Sequence, residues 1–456
     1  MLPSFFKMYP SKSYSPDRKY IFQMIPFFYG WVVVAIAFIT LGIGVNARTF
    51  FSLLFAPILE EFQWDRATIS ATFSVGFVAA TVLAPLVGSM MDKFGPRFVI
   101  PLGATITAAG FILATYAKLP WHFYMTLGLM VVGGSLFINY MGHTAFLPNW
   151  FSRRRGLAMG IAFSGVGCGS ITLLPWAQHA IETEGWRQTS VTIAIVLLVV
   201  LVPLNAIFQR RRPMDLGLEP DGVTSVSKEV DSVDLPIEIE DPTVVDKEWV
   251  ATEWTVKKAI KTGRYWWWMA SYSTALYIWY AVQVHQTRYL IDVGISPETA
   301  ALGLGLVGLS GVVGQIGVGY FSDRVGREWG WTVSLLGFLM TYVLLILISI
   351  WPNEWLMYLM ACLQGLLGYG MASVFASVPA ELFAGRRYGT IFGILGAFAG
   401  MGAAFGPWIT GWLYDQTGNY NVSFCVAVVM CLVSILTMWL AGPRKVRLVA
   451  GQVPRD

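Results

Sequence analysis

This chain is short of charge. Charged residues make up 13% of 456, with 27 acidic side chains, 31 basic ones and four histidines. Cysteine is rarer still: Cys168, Cys362, Cys425 and Cys431 each sit inside an apolar run, with no metal-like spacing and no partner in a loop. This excludes a disulfide framework and a thiolate metal site, and the four read as small packing residues. Also missing are a glycine-rich phosphate loop, a zinc signature and a nucleophile elbow, so ATP-driven pumping and ordinary hydrolysis lack their machinery. No cofactor, no metal and no enzymatic reaction are expected.

Apolar sequence fills the space instead. Hydrophobic residues are 55% of the chain and the mean hydropathy is +0.59, far from a soluble average. A helix needs about 20 apolar residues to cross a bilayer. Such runs lie near 28–57, 67–91, 99–117, 122–149, 156–180 and 187–209, then near 266–291, 298–322, 331–350, 355–384, 388–414 and 421–442. The pattern is six, a polar gap, then six. Glycine is dense within the runs, as in Gly165-Val-Gly-Cys-Gly-Ser170. That suits close helix–helix approach in lipid. The expectation is an all-α membrane protein. It would have a tail (1–27), a first six-helix bundle (28–209), a linker loop (210–264), a second bundle (265–442) and a C-terminal tail (443–456).

The halves repeat each other. Gly88-Ser-Met-Met-Asp92-Lys93-Phe-Gly95-Pro-Arg97 returns loosely as Gly319-Tyr-Phe-Ser-Asp323-Arg324-Val-Gly326-Arg327, 231 residues later. Arg154-Arg155-Gly156 with Gly160 returns as Arg386-Arg387 with Gly389 and Gly393. Internal duplication in a membrane protein commonly marks a solute carrier, with a central site between two repeats that rock against each other.

Basic residues set the orientation. Arg48 lies inside the first run, and Arg66, Lys118, Arg187 and Arg288 fall on the side of the odd-numbered loops. The remaining lysines and arginines lie in the tails or the even-numbered loops. Positive charge marks the cytoplasmic side, so both termini and the 210–264 loop are expected in the cytoplasm of a multi-pass cell-membrane protein. The net charge of +4 is then a topology signal and gives no reason to expect nucleic acid. Trp31, Trp64, Trp121, Trp186, Trp266, Trp267, Trp268 and Trp351 all stand at run ends, where indole prefers the interface. The hydrophilic N-terminal stretch precedes a run too long for a signal peptide, which is read as a retained anchor. Within the linker, the acidic stretch from Glu229 to Glu248 is expected to be a flexible tether. Trp254 to Lys261 has the spacing of a short amphipathic helix on the inner membrane surface.

On these residues the chain resembles the major facilitator superfamily, whose hallmark between the second and third helices is Gly-x-x-x-Asp-x-x-Gly-x-(Arg/Lys). Gly88, Asp92, Gly95 and Arg97 match it. Gly319, Asp323, Gly326 and, one residue early, Arg327 match it again between the eighth and ninth helices. Tyr29-Gly30-Trp31 and the stretch from Asn149 to Gly160 are most similar to monocarboxylate transporters and their bacterial relatives, including oxalate/formate-type exchangers. The resemblance implies twelve transmembrane helices in two pseudo-symmetric six-helix bundles. Independently of it, Asp92 and Asp323 stand where a helix leaves the membrane and can bridge a helix N-terminus or a neighbouring arginine. Such a latch would form a two-state gate; the alternative is that these charges serve only topology and turn geometry.

Polar residues at mid-depth are expensive in lipid and usually face a cavity. Arg48 lies about 20 residues into the first run, roughly 30 Å along a helix, with Asn46 beside it. Its guanidinium suits a carboxylate, unless it snorkels outward to headgroups. Ser135, Asn139 and His143 share one helical face, with Tyr140 alongside. His143 is the best placed group to carry a proton, unless it is a packing histidine. Tyr277, Gln283, His285 and Arg288 run toward the outer end of the seventh helix. His285 is a second proton candidate, though a mouth or outer-gate role suits it better. Gln364, Tyr369 and Phe398 can line the second half, with ordinary packing as the alternative.

Monocarboxylate transporters carry a substrate-pairing arginine in the eighth helix, and the matching residue here is Gln315. The oxalate exchangers' eleventh-helix lysine has no counterpart in 388–414. With Arg48 the one deep cation, a monoanion fits better than a dianion. The reading is therefore a monomeric secondary active transporter in the lipid bilayer. It moves a small organic monoanion, a monocarboxylate, with a proton in symport. Arg48, Asn46, Asn139 and Gln315 would contact the anion. A drug or amphipathic-metabolite exporter of the same fold, working as a proton antiporter, is the alternative. A sensor or membrane enzyme stands further off, for lack of a catalytic or signalling constellation.

Overall fold

The computed structural model describes residues 27–64, 66–222, 242–385 and 387–453. The N-terminal tail, most of the acidic stretch and Arg386 lie outside them. Twelve long helical segments follow in order. The first six are α1 Gly30–Phe62, α2 Arg66–Phe94, α3 Pro96–Ala114, α4 Pro120–Trp150, α5 Arg155–Glu184 and α6 Trp186–Phe208. The second six are α7 Gly263–Asp292, α8 Pro297–Val325, α9 Arg327–Ile350, α10 Glu354–Leu382, α11 Tyr388–Thr417 and α12 Asn421–Ala441. Eleven are long and apolar enough to cross a membrane. The other, α7, has the length at 30 residues, but Gln283, His285, Gln286, Arg288 and Asp292 make its last third polar. No strand occurs among the described residues, and Val244 and Arg447 form an isolated bridge.

Each half has its own apolar core. One runs from Tyr29 to Leu201 and takes in Ala376; the other runs from Trp254 to Val446. Glycine draws the helices together inside each half. A Cβ on Gly165 or Gly169 would strike the backbone of α1 at Phe38 or Gly42, and one on Gly402 or Gly406 would strike α7 at Ser273 or Tyr277. The same device thus joins α1 to α5 and α7 to α11. The repeated turns need their glycines for another reason. Gly95 and Gly326 have φ of 75° and 126°, a region that side chains disfavour. They let α2 turn at once into α3, and α8 into α9.

Two helices break at mid-depth. In α4 a π-helical stretch, Tyr124–Gly133, tightens into a 3₁₀ turn at Gly134–Phe137, and helix resumes at Tyr140. Asn139 restarts it by accepting the Met141 N–H at 2.9 Å, as an N-cap does. In α10 a 3₁₀ turn at Gly368–Gly370 interrupts the helix around Tyr369. Tyr140 and Tyr369 therefore sit at matching breaks of repeat-related helices.

The halves meet at the end that carries residues 27 and 453, called here the termini end. There α5 packs on α8, α2 on α11, and α4 and α5 on α10. Contact between α2 and α11 involves Ala84, Pro85 and Gly88 against Gly389 and Gly393. It gives way by Phe77 and Phe398, which are 50% and 47% exposed. The linker after residue 242 is docked at this end too. Only Lys247–Ala251 and Val256–Ala259 are helical. Trp254 is 6% exposed, and the Trp249 indole donates to the Leu382 carbonyl at 2.6 Å. Of the amphipathic helix read over 254–261, Val256–Ala259 is helical, and Trp254 before it packs edge-on to Phe383 at 5.0 Å.

Gly169→Leu is expected to force α1 and α5 apart at a cost of about 1–3 kcal/mol, lowering the thermal midpoint of detergent-purified protein. Gly305→Leu, where nothing lies within 4 Å of the added carbon, is expected to leave the midpoint unchanged.

Candidate functional site

Two carboxylates hold the halves together at the termini end. Asp323, at the end of α8, accepts the Gly156 and Leu157 N–H groups at the start of α5, both at 2.8 Å. Asp92, at the end of α2, accepts the Gly389 and Thr390 N–H groups at the start of α11, at 3.0 and 2.8 Å, and the Thr390 hydroxyl at 2.9 Å. These are the free N–H groups that every helix leaves at its start, where the macrodipole favours negative charge. Glycine permits the approach: a Cβ on Gly156 would meet the Gly319 carbonyl, and one on Gly88 would meet the Gly389 carbonyl.

The arginines around the two carboxylates differ. Arg327 lies 2% exposed and pairs with Asp323 and with Glu381 of α10, both at 2.8 Å. Arg155 of the first half reaches the same Glu381 oxygen at 3.4 Å. Beside Asp92 the partner is Arg211 of the linker at 3.1 Å, 21% exposed. Arg97 is turned away and donates to the Ala206 carbonyl at 2.5 Å. Glu381 was not singled out in the sequence, and only its nearness to the two arginine motifs could have pointed to it.

Near the middle of the helices, Tyr140 links Arg48 of the first half to two tyrosines of the second. The Tyr140 hydroxyl lies within electrostatic reach of Arg48, Tyr280 and Tyr369. The helices are α1, α4, α7 and α10, which correspond pairwise in the repeat. Tyr280 escaped the sequence reading, which named Tyr277; carrying Arg48 forward by the 231-residue offset reaches Trp279, one residue before it. The Arg48 guanidinium stands 5.9 Å from the Phe77 ring centre. It has no hydrogen bond or ion pair among the described residues. In that it differs from Arg155, Arg211 and Arg327.

Other residues singled out in the sequence are placed elsewhere. Asn46 spends its amide on joining α1 to α5: it donates to the Gly42 and Val166 carbonyls at 2.7 and 3.0 Å and accepts from Ser170 at 2.8 Å. Asn139 is the cap in α4 and remains half-buried. His143 is fully buried, with Nδ1 3.0 Å from the Asn139 carbonyl and Nε2 unpartnered. Tyr277 is sealed in the second half, its hydroxyl unpartnered. Gln283 is exposed, Arg288 pairs with Asp292 at 3.0 Å on the surface, and His285 bridges Tyr420 and the Pro407 carbonyl. Gln315 and Gln364 are buried, each with an unpartnered amide oxygen. Among the described residues no cluster of histidine, cysteine or carboxylates could hold a metal ion.

Comparison with known proteins follows the same lines. The family model described as Major Facilitator Superfamily matches residues 34–374 and 289–455. Rat monocarboxylate transporter 13 is 26% identical over 88% of this chain and 86% of its own length. The uncharacterized MFS-type transporter YcxA of Bacillus subtilis is 30% identical over 40% of this chain and 45% of its own. Among solved structures, the human organic anion transporter MFSD10 superposes with a TM-score of 0.67 at 15% identity, covering 90% of this chain and 99% of that one.

Asp323→Asn keeps one acceptor and loses the charge, leaving Arg327 undercompensated in a buried network; breaking such pairs costs about 3–5 kcal/mol. With spin labels at Arg153 and Ala384, exposed on opposite halves at the termini end, pulsed EPR is expected to show a longer distance in the variant than in the parent. An unchanged distance would mean that the carboxylate does not hold this end shut.

Proposed function

Because the chain belongs to the major facilitator superfamily, a family of membrane transporters and not of enzymes, we propose that it is a secondary active transporter that moves a small organic monoanion, a monocarboxylate, by alternating access with proton symport. The observation that carries this reading is Arg48. It is a permanently charged side chain about halfway along α1, without a carboxylate partner among the described residues. A buried or half-buried charge is costly unless something compensates it, and a bound carboxylate would do so in bidentate fashion. One cation matches one negative charge.

The termini end is read as the cytoplasmic face, since the basic residues concentrate there. With the carboxylate latches closed at that end, the central site would be reached from outside. The alternate state would break the Asp92 and Asp323 bonds and open the site inward. The names of the relatives, monocarboxylate transporters in mammals, support the substrate class. His143 is the coupling residue of this reading. Its free Nε2 lies three residues beyond Tyr140 on the resumed part of α4, so a proton gained there would be felt at the site.

Counterflow of radiolabelled monocarboxylates in proteoliposomes tests the proposal. Arg48→Gln is expected to reduce counterflow at least about 100-fold, the loss of one charge-assisted contact of about 3 kcal/mol, and Arg48→Lys to retain part of it. His143→Gln is expected to keep counterflow while losing stimulation by an inward proton gradient. Uptake of lipophilic cations unaffected by Arg48→Gln, with no monocarboxylate carried, would instead support the exporter reading.

A further inference from the structure

Five of the buried tyrosines among the described residues share one habit, while Tyr420 meets His285 instead and the buried Tyr265 has no hydroxyl partner among the described residues. Tyr29, Tyr289, Tyr342 and Tyr388 donate their hydroxyls to the backbone carbonyls of Phe208, Leu345, Ile278 and Thr144, at 2.6, 2.6, 2.6 and 2.8 Å. Tyr272 does the same to Phe375. A buried phenol needs such a partner. Tyr140, Tyr280 and Tyr369 break the habit: they are half-buried, and their hydroxyls have no partner among the described residues. The Tyr277 hydroxyl is unpartnered too, but it is sealed away from the space between the halves.

Packing fixes two of these rings without using their hydroxyls. Tyr369 stacks on Trp279 at 4.3 Å and 18°, with Gly311 flush against it. Tyr140 stands edge-on to Phe163 at 4.7 Å. Phenylalanine would pack there equally well, so the fold gives no reason for the oxygens. Tyr140 lies within electrostatic reach of Arg48 and of both other tyrosines, and the four are divided between the halves: Arg48 and Tyr140 belong to the first, Tyr280 and Tyr369 to the second.

A ligand whose carboxylate sits on Arg48 meets the second half with its other end. A phenol both donates and accepts, which is the pattern of a hydroxyl group and is wasted on an alkyl tail. We infer that the carried monoanion is hydroxylated along its length, of the sugar-acid class, with its carboxylate on Arg48 and its distal hydroxyls on Tyr280 and Tyr369. This rests on the anion reading above and narrows it. Tyr280 and Tyr369 are its specificity-determining residues. Because the ligand then touches both halves, it favours the state in which they close around it.

Gluconate, lactate and hexanoate discriminate the possibilities: the first has distal hydroxyls, the second has only one beside its carboxylate, and the third matches gluconate in length with none. Thermal midpoints of the purified protein are titrated with each, since a ligand of the folded state raises the midpoint by mass action. Gluconate is expected to act at concentrations at least about tenfold lower than the other two, because a site built to bond hydroxyls discriminates against analogues lacking them. Tyr280→Phe and Tyr369→Phe keep the rings. Each is expected to raise the gluconate requirement about tenfold, one hydrogen bond's worth, and to leave hexanoate unaffected, while Arg48→Gln abolishes the response to all three. Hexanoate or lactate acting as well as gluconate, or the phenylalanine variants weakening all three equally, overturns the inference and leaves the anion reading standing. No response to any carboxylate, alongside a response to neutral or cationic amphiphiles, overturns both.

Discussion

A carboxylate laid across the first free N–H groups of a helix in the opposite half is the contact on which this architecture depends. It occurs twice, at Asp92 on α11 and at Asp323 on α5. Each needs three features at once: an aspartate at the end of its own helix, an uncapped helix start across the interface, and glycine on both sides so that backbones can touch. The neighbouring tight turns supply the rest, because Gly95 and Gly326 adopt positive φ and end α2 and α8 shortly beyond the aspartate. A hydrogen bond to a charged group contributes about 1.5–3 kcal/mol. In the proposed alternating-access cycle, a pair of such contacts on each side would define the closed state and would still be weak enough to break, since the N–H groups it releases can turn to water.

The two latches are alike in geometry and unlike in surroundings. On the α5–α8 side, Asp323, Arg327, Glu381 and Arg155 form an alternating network whose Arg327 and Glu381 side chains are 2% and 5% exposed. On the α2–α11 side, Asp92 has Arg211 of the linker, 21% exposed. Buried pairs are screened little by salt and partly exposed ones more. The repeat therefore carries one dry side and one wetter side, and the second is joined to the linker through Arg211.

The aspartate contacts between the halves were legible from the sequence, since their aspartates and glycines recur at one offset and only a few physical tasks need that combination in a charged turn. The helical architecture was legible for a coarser reason, the alternation of apolar runs with basic loops. The central site was legible only in part. Arg48 stands out in any apolar run, but a polar side chain on a helix has several directions to point, and periodicity does not choose among them. Asn46 turned to bind α5, and Tyr277 turned into the second half while Tyr280, three residues on, faces Arg48's neighbourhood. The breaks in α4 and α10 shift the faces further: beyond Asn139 the helix restarts with a new phase, so the i, i+4, i+8 alignment of Ser135, Asn139 and His143 does not survive it. Glu381 was hidden because its role exists only across the interface.

The contrast among the arginines bears on what the central site is for. Arg155, Arg211 and Arg327 were each given an acidic partner by the fold, and a fourth partner near Arg48 would have been no harder to supply. Phe77 beside it offers a cation–π contact of about 0.5–2 kcal/mol, which supplies no counter-charge. Tyr140, which lies within electrostatic reach of Arg48, is also within reach of two tyrosines from the other half, which puts Arg48 near the seam between the bundles. A charge kept unpaired on a seam is a standing cost to stability. In the proposed function the missing partner is the carried anion, and the seam between the bundles is where it would be held.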